Sequence, residues 1–233
     1  MNFYSTWSNT RELKIDDYAF MNSFLMFSPI SNDFFLDADI QDIEFAVNLL
    51  KEIPIENFII GISKLNLDYK LDPTDIPCFS TFLNAANRVN ELLEFAEEGL
   101  TFSELGLRLI NASSLSARIK YGENHSKFAE MMSLVSISSN HPSVVRPTSL
   151  GQYLVGFSMD SKADILKKLL LRNKCIQLLI KGTFEGNADY RSTVSILSDS
   201  TAYRRRTNVK HAVEFALDYP NTNSILKQIN WEM

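Results

Sequence analysis

Residues 101–121 read TFSELGLRLINASSLSARIKY, and this stretch decides the predicted fold. Thr101 with Glu104 three residues later is a capping-box pattern, which predicts the start of a short helix. A turn is predicted at 111–113, where small polar residues cluster. A longer helix then follows over 114–135, so the stretch is read as two helices joined by a tight turn.

The neighbouring segments extend this pattern on both sides. Residues 80–98 have apolar side chains at helical spacing, and Gly99 ends that predicted helix. After the long helix, Val135–Ile137 and Val144–Arg146 are predicted as two short strands joined by an Asn-His-Pro turn. Thr148 then opens a further helix. The predicted order is helix, short helix, turn, long helix, hairpin, helix.

This order resembles that of winged helix-turn-helix proteins, and the resemblance covers residues 80–158. The segment 114–135 resembles the recognition helix of that family. Residues 146–151, RPTSLG, resemble the close of its wing, although Pro147 stands where the family usually has leucine. The resemblance implies DNA binding, and the alternative is a plain helical bundle with a β-hairpin insertion.

The C-terminal part repeats the scheme on a smaller scale. Residues 161–182 are predicted to form one apolar helix or a pair of helices, and Ser198 or Ser200 is predicted to cap a last helix. The run Ser-x-Ser-Thr-x-x-Arg-Arg from Ser198 to Arg205 resembles the opening of the final helix in DNA-reading segments of restriction and defence proteins. That resemblance implies a second helix-turn-helix unit.

The charge is distributed unevenly along a chain whose net charge is −5. Residues 1–100 carry 6 Lys and Arg against 17 Asp and Glu, whereas residues 101–210 carry 16 against 8. A basic half in an acidic protein suggests contact with a polyanion, and surface solvation is the alternative.

Two predicted helices carry the candidate DNA contacts. On the helix over 114–135 we expect Leu115 and Ile119 to face the core and the polar residues to point outward. On the last helix, arginine can pair with guanine and asparagine with adenine; a solvated helix face is the alternative. Lys120, Lys127, His141 and Arg146 are expected to contact phosphates rather than base edges. The candidate DNA-binding residues are Ser114, Arg118, Lys120, Tyr121, Arg146, Thr201, Arg204, Arg205, Asn208 and His211.

The N-terminal part is acidic and less regular. Residues 39–51 have partly helical apolar spacing, and the run 56–71 is predicted as extended because Leu65, Leu67, Tyr69 and Leu71 alternate with polar residues. The predicted segments are an acidic helical segment 1–79, a winged helix-turn-helix 80–158 and a second helix-turn-helix-like unit 159–233.

Cysteine and histidine usage predicts neither a disulfide nor a metal site. Cys78 and Cys175 stand in apolar surroundings, and the three histidines are scattered. We expect reduced thiols and no cofactor. No signal peptide is evident and no apolar run approaches the roughly 18 residues that span a bilayer, so a soluble, cytoplasmic protein without membrane contact is expected.

Two other function classes remain open at this stage. Glu56, Asp68 and Lys70 loosely resemble the acidic-x-Lys site of many restriction nucleases, which would make the chain a Mg²⁺-dependent endonuclease. An interaction module is the other class: the aromatic N-terminus and the apolar residues near Trp231 would dock a second copy or a defence-complex subunit.

Taken together, the sequence predicts a mainly α protein with a small β-wing and tandem helix-turn-helix units, the first of them a winged helix. The predicted function is sequence-specific binding of double-stranded DNA. The resemblances point to the recognition component of a restriction or phage-defence system, and a transcriptional regulator is the alternative.

Overall fold

The computed structural model describes residues 14–26, 35, 38–68, 70–78, 82–94, 96, 98–110 and 114–233, without the side chains of 82–85. The described chain is mainly helical with a small antiparallel sheet, as the sequence predicts. Its α-helices are α1 (Ile15–Met26), α2 (Ile40–Glu52), α3 (Ile55–Lys64), α4 (Phe82–Leu93), α5 (Phe102–Leu109), α6 (Leu115–Met131), α7 (Ser149–Val155), α8 (Met159–Leu170), α9 (Lys174–Glu185), α10 (Tyr190–Thr193), α11 (Asp199–Ala216) and α12 (Asn223–Leu226). A 3-10 helix spans Pro73–Asp75, and the strands are β1 (Leu100–Thr101), β2 (Val135–Ile137) and β3 (Val144–Pro147).

Contacts group the chain into two compact units. Unit 1 comprises 1–27, 46–77 and 167–233, and unit 2 comprises 28–45 and 78–166. The boundaries predicted after residues 79 and 158 stay a prediction. Unit 1 combines residues from the first and third of the predicted segments.

Unit 2 contains α4, β1, α5, α6, β2, β3 and α7 in chain order. The three strands form an antiparallel sheet in the order β1-β3-β2, in which Leu100 pairs with Val145 and Val135 with Pro147. Val145 is fully buried in the middle strand. The predicted hairpin is confirmed, and Pro147 takes its place at the end of β3.

Local hydrogen bonds set the helix starts of unit 2. The Glu104 N–H donates to Thr101 Oγ1 at 3.3 Å and the Thr101 N–H donates to Glu104 Oε2 at 2.8 Å, which completes the predicted capping box. Ser114 Oγ accepts from the Ala117 N–H at 3.2 Å. Thr148 Oγ1 accepts from the Gly151 N–H at 2.9 Å. Each bond satisfies one N–H that the helix itself leaves without a partner.

Helices α5 and α6 cross at very short range because each has a glycine at the crossing. A Cβ atom on Gly106 would lie 1.9 Å from the backbone oxygen of Arg118. A Cβ atom on Gly122 would lie 2.0 Å from the backbone oxygen of Phe102. Only residues without a side chain permit this approach, so the two glycines fix how α6 lies on α5.

The extended run predicted over 56–71 is wrong for its first part, which is helix α3. Phe58, Ile59 and Ile62 are fully buried. A helix places all three on one face, whereas in a strand the adjacent residues Phe58 and Ile59 would point to opposite faces. Leu65 and Leu71 are buried in irregular chain after the helix. Tyr69 lies outside the described residues.

In unit 1, three basic side chains between Lys168 and Lys181 donate hydrogen bonds to carbonyl groups at the ends of α1, α2 and α3. Lys168 Nζ donates to the Leu50 carbonyl near the end of α2 at 2.5 Å, and Arg172 Nε donates to the Phe24 carbonyl in α1 at 3.1 Å. Lys181 Nζ donates to the carbonyl of Leu65, the C-cap of α3, at 2.5 Å. The last carbonyls of a helix lack intrahelical donors and carry partial negative charge, so cations stabilise them.

Buried cations change the interpretation of the excess of Lys and Arg in residues 101–210. Lys162, Lys168 and Arg172 are at most 3 % exposed. Burial lowers the pKa of Arg172 to about 9. Part of the basic surplus of residues 101–210 therefore serves the protein's own backbone and is not available to an external polyanion.

Candidate nucleic-acid interface

The first half of α6 stands clear of the core, and the second half is embedded in it. Residues 114–117 are exposed, whereas burial begins at Gly122 and continues through His125, Phe128 and Ala129. The first turn of α6 holds no acidic residue. The helix is thus anchored at its C-terminal end and presents its N-terminal end to solvent.

The prediction that Leu115 and Ile119 face the core is wrong. Leu115 is 61 % exposed and Ile119 is 39 % exposed. α5 crosses α6 through backbone contacts at Arg118 and Gly122, and the side chains of Leu115 and Ile119 stay exposed beside that crossing. The signal in the sequence is the pair Gly106 and Gly122, which lets the backbones of α5 and α6 meet at Arg118 and Gly122 without burial of Leu115 or Ile119.

Cationic residues flank the exposed part of α6. The Lys120 side chain is 70 % exposed, and its Nζ lies 3.5 Å from a Glu123 carboxylate oxygen. Lys127 Nζ lies 2.5 Å from the same carboxylate, and this hydrogen bond lowers the pKa of Glu123. Such surface ion pairs are weak, so a phosphate can replace Glu123 as the partner of Lys120. Arg118 is half-buried.

Tyr121 is half-buried and forms the boundary between the exposed and embedded halves of α6. Its ring lies on the His125 ring with centroids 4.2 Å apart. His125 Nδ1 lies 2.9 Å from the Tyr121 carbonyl oxygen, and burial lowers the pKa of His125. The packing of the His125 ring on Tyr121 supports the helix and leaves Tyr121 only partly accessible to an external contact.

The hairpin of β2 and β3 contributes a second exposed element to unit 2. Arg146 is exposed in β3, and its Nε donates to the Glu98 carbonyl at 3.2 Å. His141 is exposed in the turn between the strands. The remaining nitrogen donors of Arg146 are oriented by that one bond, so the side chain is partly preorganised.

In unit 1, fewer of the polar residues of α11 are exposed than the sequence predicts. Its buried stripe comprises Ala202, Val209, Ala212, Val213 and Ala216. Of the three consecutive arginines, Arg204 is the exposed one, and its guanidinium lies 3.4 Å from Thr201 Oγ1. Asn208 is half-buried; His211 is exposed and lines a shallow cleft of about 420 Å³ with Lys210 and Trp231.

The other two arginines of this run contact the protein itself. Arg205 NH1 donates to the Pro73 carbonyl at 2.6 Å and to the Ile76 carbonyl at 3.1 Å. Arg206 NH1 donates to the Trp231 carbonyl at 3.4 Å. Arg205 was predicted to contact a base, and the structure places it on the backbone around the 3-10 helix.

The N-terminus of α11 is also less suited to an anion than that of α6. Asp199 lies in its first turn, and its side chain is 87 % exposed. The carboxylate pairs with Arg191 at 2.5 Å. A negative charge at a helix N-terminus already offsets the helix dipole, so it competes with an incoming phosphate.

We predict that Arg205→Ala lowers the free energy of unfolding by about 1–3 kcal/mol, because it leaves two carbonyl groups without their charged donor. The matched control is Arg204→Ala on the exposed side of α11, which should change stability by less than about 0.5 kcal/mol. Urea denaturation of both variants checks this. Equal stability of the two variants would contradict the structural role of Arg205.

The residues of the predicted nuclease site lie in different surroundings. Glu56 is 4 % exposed and accepts a hydrogen bond from Asn221 Nδ2 at 3.0 Å. Asp68 lines a polar cleft of about 480 Å³ beside Lys181, and Lys70 is exposed. Within the described ranges, no group of three or more His, Cys, Asp or Glu side chains is placed to hold a metal ion.

Cys175 and two of the apolar residues near the C-terminus are buried in the protein. Cys78 and Cys175 are both free thiols, and burial raises the pKa of Cys175 to about 12. Ile225 and Ile229 are buried, and the Trp231 ring lies 5.6 Å from the Tyr190 ring. The N-terminal aromatic residues predicted to dock a partner lie outside the described residues.

No family model, curated protein or solved structure matches this chain. Among the described helices, none is both long enough and apolar enough to cross a membrane.

Proposed function

We propose that this chain binds double-stranded DNA and that α6 enters the major groove. The observation that carries the proposal is the exposed first half of α6, which Ser114 caps and which has no acidic residue in its first turn. Such a helix end presents partial positive charge and N–H groups beside the cap to a phosphate. Lys120 beside it supplies a full positive charge.

The order of elements in unit 2 supports its assignment as a winged helix-turn-helix. In that assignment α5 and α6 are the two helices of the motif, and the β2–β3 hairpin is the wing. The recognition helix of such a motif contacts base edges with residues near its N-terminus. Ser114, Arg118 and Lys120 occupy this end of α6, and Arg146 with His141 would contact phosphates from the wing.

We further propose that α9, α10 and α11 form the second helix-turn-helix-like unit. Both α10 and α11 pack on α9, and Tyr190 in α10 donates its hydroxyl proton to the Ala202 carbonyl of α11 at 2.7 Å. Arg204, Asn208 and His211 would face the DNA. Because Asp199 opens α11, we assign this helix a smaller share of the affinity than α6.

The setting we propose is the recognition component of a restriction or phage-defence system. This rests on the run from Ser198 to Arg205, which resembles the DNA-reading segments of such proteins. In that setting the chain selects the site, and a separate subunit acts on the DNA.

Selection from random duplexes tests the DNA-binding proposal. The full chain is incubated with a pool of random 30-base-pair duplexes at salt concentrations from about 50 to 200 mM, the range over which phosphate contacts weaken strongly. We expect an enriched motif and an affinity that falls steeply with salt. Absence of any retained duplex at the lowest salt would refute the proposal, and retention without a motif would refute its sequence specificity.

A further inference from the structure

Two exposed apolar residues near the start of α6 indicate which chemical group of a ligand that helix contacts. Leu115 is 61 % exposed and Ile119 is 39 % exposed. They are four residues apart, so they lie on the same face of the helix, about 6 Å apart along its axis. Two exposed apolar side chains on one helix face form a small apolar surface, and an apolar group of a ligand that covers it gains free energy from its burial.

The surroundings of this pair favour DNA as the source of that contact. Ser114 and Ser116 are exposed beside it, and Lys120 follows it with 70 % of its side chain exposed. An apolar pair that is bordered by hydroxyl groups and a cation is complementary to a groove whose walls are phosphates and whose floor carries methyl groups. In the major groove the apolar group is the C5-methyl of thymine, which apolar side chains contact.

We propose that Leu115 and Ile119 contact thymine methyl groups and thereby give α6 a preference for sites containing thymine. This inference rests on the proposed function. The 6 Å separation along α6 compares with a rise of about 3.4 Å for each base pair. The two contacts therefore fall on neighbouring or next-but-one base pairs, on either strand.

Replacement of thymine by deoxyuridine tests the inference, because it removes the methyl group and keeps the hydrogen-bonding edge. The probe is the duplex enriched from the random pool, prepared once with thymidine and once with deoxyuridine at every thymine position. We expect binding to weaken about fourfold for each contacted methyl group, the ratio that burial of one such group implies, and therefore about tenfold or more in total.

Two variants of the full chain complete the experiment. The double variant Leu115→Ala/Ile119→Ala should bind the two duplexes equally. The matched control is Leu107→Ala, which removes a leucine of similar exposure, 57 %, from α5 and should keep the full difference. Since all three side chains are exposed, folding should persist, and circular dichroism of each variant checks this.

The possible results distinguish the thymine contact from the proposed DNA binding on which it rests. Equal binding of both duplexes by the unaltered protein overturns the thymine contact and leaves DNA binding intact. A difference that persists in Leu115→Ala/Ile119→Ala overturns the assignment to these two residues. Failure to retain either duplex overturns the proposed function, and the inference falls with it.

Discussion

Gly106→Ala is expected to destabilise unit 2 by about 3 kcal/mol. The added methyl group would lie 1.9 Å from the backbone oxygen of Arg118, so α5 and α6 would have to move apart. Forcing a methyl group into a packed interface usually costs about 1–3 kcal/mol, and a clash with backbone gives way less readily than one with a side chain. Without the clash, replacing a helical glycine by alanine would stabilise the helix by about 1 kcal/mol. A net loss of stability would therefore come from the close crossing of α5 and α6.

Urea unfolding followed by circular dichroism measures this effect, and Gly156→Ala is the matched control. Gly156 also belongs to unit 2, but a Cβ atom there meets nothing within 4 Å, and its φ of −69° suits any residue. Its replacement should be neutral or stabilise the protein by up to about 1 kcal/mol. If both variants unfolded at the same urea concentration, the close crossing of α5 and α6 would be refuted.

The double variant Arg118→Glu/Lys120→Glu is expected to bind duplex DNA about 100-fold more weakly, roughly tenfold for each reversed charge. Two phosphate contacts become two repulsions, and the proposed groove-facing half of α6 loses its positive charge. The slope of log affinity against log salt should also become shallower by about 0.9 for each lost contact. Fluorescence anisotropy with a labelled duplex at several salt concentrations measures both quantities.

Arg88→Glu is the control for this variant. Arg88 lies on α4 in the same unit, its side chain is 57 % exposed, and it pairs with Glu91 at 3.5 Å. This control changes the net charge without touching α6, so affinity should fall by less than about threefold, the residual long-range effect of one screened charge reversal. Because Arg88→Glu changes the net charge half as much as the double variant, a loss of about tenfold in this control would show that total charge and not the surface of α6 governs binding.

The helix starts and the hairpin of unit 2 were predictable because their signals are local. Thr101, Ser114 and Thr148 each accept a hydrogen bond from an N–H three residues later. Such a bond depends on residue types a few positions apart and hardly on the rest of the fold. The same holds for the turn between β2 and β3, since its residues lie next to each other in the chain.

The orientation of the site residues was less predictable. Leu115 and Ile119 have the spacing of a buried helix face, and the same spacing occurs on an exposed one. Which case applies depends on how a neighbouring helix crosses, and here α5 crosses α6 at Arg118 and Gly122 while Leu115 and Ile119 stay exposed. The arginine run on α11 shows the same limit, because Arg204 and Arg205 are adjacent and yet face solvent and backbone respectively.

The linear order of residues is enough to establish the helical class, the capped helix starts and the β2–β3 pairing in this protein, because each depends on bonds between near neighbours. The packing of the helices decides which Lys and Arg side chains stay available to bind an external ligand. Arg205 reaches a carbonyl 132 positions away, and Lys168 reaches one 118 positions away. A side chain and a carbonyl group that lie so far apart in sequence meet only after the helices pack, and the cation is then no longer available to a ligand.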